Sequence, residues 1–153
     1  MKPMPSRKPI YKKPFEKVDR VDESVWFSND TPVMESDFTF VFDDRYPCVK
    51  GHRLFIPKEN NAHFLGRSYG MAYDYGNEQI KKGRIAGFNI GMNIGTCAGQ
   101  TIMWPHIHFI PRHDGDAEHK GGMRHAHPGA DHYEYYSEND TYEKNKEKKE
   151  DHS

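Results

Sequence analysis

The stretch Phe88–Arg112, FNIGMNIGTCAGQTIMWPHIHFIPR, reads as an apolar strand, a turn of small residues, and a second strand carrying His106 and His108. Side chains alternate faces along a strand, so two imidazoles two residues apart point the same way. Ahead of them, Asn93-Ile-Gly-Thr-Cys-Ala-Gly99-Gln100-Thr101 is rich enough in small residues for a ligand to approach the backbone closely. Two histidines beside such a turn point to a site that handles phosphate.

Working outward, Phe38, Phe40 and Phe42 alternate with Thr39 and Val41, the pattern of a strand with one face in a core. Asp43-Asp44-Arg45-Tyr46-Pro47 closes it, and His52-Arg-Leu-Phe-Ile56 follows as an antiparallel partner stopped by Pro57. Asn60 or Asn61 caps a helix expected from Ala62 to Lys82, with Gly83 as its stop. Gly66, Gly70 and Gly76 weaken that helix, each costing ~1 kcal/mol against Ala. Ser24-Val-Trp-Phe27 reads as a short strand or turn. The expected fold class is α+β: an antiparallel sheet of about five strands with one main helix on a face.

At 153 residues the chain holds one domain, and its 29% charged content places polar ends around a smaller folded centre. Residues 1–22 read as a flexible arm, 23–137 as the folded domain and 138–153 as a solvated charged tail. A net charge of -1 argues against a general nucleic-acid or membrane-surface binder. Cys48 and Cys97 read as buried free thiols of a reducing compartment. The basic start lacks an apolar core of the secretory kind, and no run approaches the ~18 apolar residues of a bilayer span. A soluble cytoplasmic protein is expected.

Gly99-Gln-Thr-Ile-Met-Trp-Pro-His106-Ile-His108-Phe-Ile-Pro-Arg112 resembles the signature of the histidine triad (HIT) nucleotide hydrolases and transferases. Phe42-Asp-Asp44-Arg-Tyr-Pro47 and Gly51-His52-Arg-Leu-Phe-Ile-Pro57-Lys58 match further upstream. Arg112-His-Asp-Gly115-Asp116 and Gly121-Gly122-Met-Arg124 resemble a segment of the diadenosine-polyphosphate-hydrolase-like branch. Two departures stand out: Trp104 replaces the first histidine of the triad, and Asn60 stands where a histidine usually follows the Pro-Lys pair.

The resemblance implies a nucleotide hydrolase that cleaves at the α-phosphate of a dinucleoside polyphosphate or nucleoside phosphoramidate. His106 corresponds to the nucleophile, its tautomer set by the Trp104 carbonyl, which survives whatever the side chain. His108 would hydrogen-bond a phosphate oxygen; Gln100 and Thr101 would donate to phosphate or bridging oxygen, and Gly99 leaves room for it. Asp44 corresponds to a ribose-binding carboxylate, Phe42 lies near the base, Asn93 touches ribose or phosphate, and His52 lines the site. A histidine at 108 favours hydrolysis over transfer. The family commonly forms homodimers through the helix and an edge strand, so a homodimer is expected, with a nucleotide as the other partner. No tightly bound cofactor and no protein metal site are expected, only magnesium carried in with the nucleotide.

Two other readings stay open. His-x-His strands also occur in metal enzymes, and here His52, His106 and His108 would be the compact ligand candidates. A non-catalytic nucleotide-binding module, with Trp104 marking a decayed site, is the other. Asp44 is equally a residue that accepts backbone N–H bonds in a turn, and Trp104 a core residue. The later histidines, His113, His119, His125, His127 and His132, match no standard ligand spacing and read as solvated.

Overall fold

The structure, a computed structural model, describes residues 11–28, 30–117 and 121–129. Five strands, β1 (Met34–Glu35), β2 (Thr39–Asp43), β3 (Arg53–Pro57), β4 (Gly87–Gly91) and β5 (Ile107–Arg112), form one sheet in the order β1-β2-β3-β5-β4. Every neighbouring pair is antiparallel. One long helix among the described residues, α1 (Ala62–Lys81), links β3 to β4. The α+β architecture expected from the sequence is the one found.

Alternation sorts the sheet into two faces. Val41, Phe55, Ile107 and Phe109, each no more than 1% exposed, pack with Ala72 of α1. Burying an aromatic of this kind contributes roughly 1.5–3 kcal/mol. Phe42, Leu54 and Ile56 point the other way, and Trp104 joins them. His108 stands opposite Leu54 in the β3–β5 register, which puts the candidate site on this second face, away from the helix.

Asn61 caps α1, its side chain accepting the Phe64 N–H at 2.9 Å. The helix ends at Lys81 with Lys82 as its C-cap, and Gly83 follows with φ 72°. Of the three helical glycines, Gly76 has a packing reason: a Cβ there would lie 2.4 Å from Phe88 Cε1. The buried hydroxyls of Thr39 and Ser68 bond each other at 2.7 Å, and Ser68 Oγ also reaches Phe64 O at 2.9 Å. That ties β2 to the helix without an unsatisfied polar atom.

Among the described residues no α-helix packs on the second face, and residues 11–28 cover it. The expected flexible arm is therefore corrected over residues 11–22. Phe15 N–H donates to Thr101 O at 2.8 Å, Lys17 bridges Met103 in parallel, and Val18 is 6% exposed. Single 3-10 turns at Val21–Glu23 and Val25–Phe27 follow, and Trp26 joins Val18 in the core. Leu54, Ile56 and Trp104 would otherwise face water, and the apolar residues of this polar segment cover them. Arg45 clips the turn in place: Nε meets Asp30 Oδ2 at 2.7 Å, and Nη2 donates to Val25 O at 3.0 Å and Ser28 Oγ at 2.8 Å. Residues 1–10 and the expected tail at 138–153 lie outside the described residues.

Cys48 and Cys97 are exposed, which corrects the reading of buried thiols. Both sit in loops between strands, where neither sheet face covers them. Among the described residues, no helix is long and apolar enough to cross a membrane.

Candidate active site

His106 immediately precedes β5, and its Nδ1 lies 2.7 Å from Trp104 O. A carbonyl can only accept, so the proton is on Nδ1 and the lone pair of the neutral ring is on Nε2. The residue is 6% exposed. Burial holds its pKa below the ordinary 6.5, against the upward pull of the Trp104 carbonyl and Asp44. Trp26 stands edge-on to the ring, centroids 4.9 Å apart, and His108 lies 5.2 Å away on the same face.

A second chain of bonds orders His108. The backbone N–H of Cys48 donates to His52 Nδ1 at 3.2 Å, so the proton of a neutral His52 sits on Nε2. His52 Nε2 is 2.9 Å from His108 Nδ1 and donates to it. The His108 proton is thereby placed on its own Nε2. Burial, then the neighbouring His106 and His52, push the His108 pKa down to about 4, with Asp44 opposing. Both imidazoles are neutral at neutral pH, with opposite remaining atoms: a lone pair on His106 and an N–H on His108.

Asp44 joins this group from the loop after β2. Its Oδ2 is 3.3 Å from His52 Nε2 and 3.8 Å from His108 Nδ1, while Oδ1 accepts the Tyr46 N–H at 2.8 Å. The turn role and the site position are thus filled by different oxygens of one carboxylate. The compact set with metal-ligand character is Asp44, His52 and His108, whose ligand atoms all lie within 4.8 Å. It differs from the expected set of His52, His106 and His108 in having Asp44 in place of His106 among the described residues.

Trp104 is a core residue. It is 3% exposed, packs with Leu54 and Ile56, and donates Nε1–H to Pro57 O at 2.9 Å. The chain keeps the carbonyl at this position and gives the side chain to the interior.

The turn before β5 contains a 3-10 segment, Thr96–Ala98, flanked by Gly95 at φ 89° and Gly99 at φ 98°. A Cβ on Gly99 would sit 3.5 Å from Asn93 Nδ2, so these two expected site residues are neighbours. Gln100 is turned onto its own loop: Oε1 accepts Gly95 N–H at 2.8 Å and Nε2 donates to Ile102 O at 3.1 Å. The side chain thereby braces the loop, with the oxygen and one of its two amide hydrogens used in doing so. Thr101 is exposed, and its carbonyl receives the Phe15 N–H. Phe42 is 1% exposed with Phe27 edge-on at 5.0 Å, which puts it in the core beneath the site.

Sequence reasoning missed Trp26, Phe27 and Cys48. The Trp-Phe pair preceding the first strand was the available signal for the cover; nothing in the letters marks the Cys48 N–H. Farther along, Met123 lies over Gly91, the register partner of His108, and Gly122 sits beside Asn89. That C-terminal piece docks on β4. His127 Nδ1 accepts the Gly129 N–H at 3.0 Å; His119 and His132 lie outside the described residues.

No protein-family model matches the chain. An uncharacterized HIT-like protein of Methanocaldococcus jannaschii is 34% identical over 92 residues, which is 56% of this chain and 71% of that protein. The chain belongs to the histidine triad family. An adenylylsulfatase of Arabidopsis thaliana is 32% identical to this HIT protein over 89 residues, 54% of this chain and 45% of the relative. A HIT-like protein from Bartonella henselae shares the fold, with a TM-score of 0.54 at 22% identity over 63% of this chain and 82% of that one. HIT proteins are generally nucleotide hydrolases. In this HIT protein His106 and His108 stand on one face, with His52 and Asp44 beside His108.

Proposed function

We propose that this protein hydrolyses a nucleotide at its α-phosphate through a nucleotidyl-His106 intermediate. One observation carries the reading: the bond from His106 Nδ1 to Trp104 O, which leaves the Nε2 lone pair of a neutral ring to attack. An Nε2–P bond forms while the bond to polyphosphate, sulfate, nucleotide or amine breaks. The leaving group takes a proton, and water then attacks the same phosphorus, releasing the nucleoside monophosphate and restoring the imidazole. His108, carrying its proton on Nε2, donates to a phosphate oxygen as charge develops. Asp44 receives the ribose hydroxyls, and Gly99 with Asn93 gives the phosphate a close approach. His52 acts through His108 and is a positioning residue.

Dinucleoside polyphosphates and nucleoside phosphoramidates are the first substrates to try, with magnesium present. Adenylyl sulfate joins them because of the Arabidopsis relative. Purified protein is incubated with each, and monophosphate release is followed. His106→Ala is expected to abolish turnover while nucleotide binding persists; a quenched wild-type reaction on labelled substrate should yield labelled protein. Unchanged turnover in His106→Ala removes the mechanism.

A homodimer through α1 belongs to the same reading. Gly66 and Gly70 have no atom within 4 Å of a built Cβ, and they line an open groove with Met34, Phe38 and Met71. Sedimentation of the full chain tests it.

A further inference from the structure

Asp44 Oδ2, His52 Nε2 and His108 Nδ1 form a triangle with sides of 2.9, 3.3 and 3.8 Å. A tetrahedral cation with bonds of about 2.0–2.1 Å holds its ligand atoms roughly 3.3 Å apart. The triangle therefore has the right size, and shifts of a few tenths of an ångström would equalise it. We propose that Asp44, His52 and His108 form a three-ligand site for a divalent cation of the zinc class, with the fourth position left to water or an anion.

The donor set selects the class. Two imidazole nitrogens and one carboxylate suit zinc, cobalt or iron; magnesium and calcium prefer an all-oxygen shell. The three ligands come from the β2–β3 loop, the residue before β3, and β5, so the sheet itself holds them in place. Their side chains are 14%, 7% and 26% exposed, which shields the site while leaving a way in.

The outer contacts also answer to a metal. When Nε2 of His52 takes a cation, its proton must move to Nδ1. Cys48 Sγ lies 3.4 Å from that nitrogen and can accept it. In the metal-free ring the Cys48 N–H donates to Nδ1; in the metal-bound ring the sulfur receives from Nδ1, and that N–H must turn away from the ring. A bound cation would also take Asp44 away from the ribose hydroxyls, so metal and nucleotide would compete for that carboxylate.

The site does not depend on the catalytic reading, and its test needs no turnover. Full-length protein, freed of metal by a chelator, is titrated with Co2+ and the visible bands of tetrahedral cobalt are followed; Zn2+ is then used to displace it. One cobalt per chain is expected, with tetrahedral intensity, displaced by one zinc. Asp44→Asn keeps the amide oxygen for the Tyr46 N–H, so it preserves the turn and should weaken binding at least tenfold; His52→Asn should do the same. Absence of stoichiometric cobalt or zinc binding at micromolar metal would overturn the proposal. So would binding equally tight in Asp44→Asn, which would locate the metal elsewhere, among the later histidines.

Discussion

Replacing Trp104 by Phe separates the two jobs done at that position. The Nε1–H bond to Pro57 O is lost, and a carbonyl of a fully buried residue is left without its partner. That costs about 1–3 kcal/mol, and the void beside Leu54 and Ile56 adds about 1 kcal/mol more. The expected destabilisation is about 3 kcal/mol, which for a domain of this size lowers the midpoint of thermal unfolding by roughly 10 °C. The backbone oxygen that holds His106 Nδ1 is untouched. Urea unfolding followed through the remaining Trp26, with kcat/KM measured on folded protein, reads both quantities. Stability should fall and kcat/KM should stay within about threefold of wild type. A tenfold loss of kcat/KM in a folded variant would refute the carbonyl argument, and a stability loss below 1 kcal/mol would refute the core role.

The remaining predictions are shorter. Gly76→Ala drives a methyl into Phe88, whose ring stacks on Phe109 at 5.3 Å; overpacking of this kind costs about 1–3 kcal/mol, and the denaturation midpoint should fall accordingly. His108 titrates near 4 in the folded state and near 6.5 unfolded, so the unfolded chain binds more protons between those values. Its contribution leaves stability unchanged above about pH 7 and removes up to about 3 kcal/mol as pH falls toward 4; a urea series against pH, compared with His108→Gln, isolates it. Arg45→Ala should cost little globally, because its ion pair with Asp30 is partly exposed, yet it should speed amide exchange in residues 21–28.

The hairpin of β2 and β3, the helix cap at Asn61 and the shared face of His106 and His108 were legible because each rests on a local rule: alternation, capping, parity. The Trp104 carbonyl was legible through the resemblance to the HIT signature, and the structure places it 2.7 Å from the ring it holds. What escaped were contacts between distant parts of the chain. Residues 11–22 are polar enough to look solvated, and only the bare second face of the sheet explains why Val18 and Trp26 are buried. The resemblance assigns Gln100 a donor's part; its bonds to the Ile102 carbonyl and the Gly95 amide within the turn follow from no sequence pattern. The grouping of Asp44 with His52 and His108 was expected only through the resemblance, because it depends on the β3–β5 register, which no local pattern fixes.

The covering of the sheet by residues 11–28 has a consequence for the order in which the protein is made. Phe15 and Lys17 find their partners at Thr101 and Met103, so the first described segment to leave the ribosome waits for one of the last strands before it can settle. Until β5 is in place, the strip of Leu54 and Ile56 stays open to water and to other unfinished chains. A nascent chain stalled between α1 and β5 would be the sticky species, and a chaperone arriving then would meet an apolar surface that the finished molecule conceals.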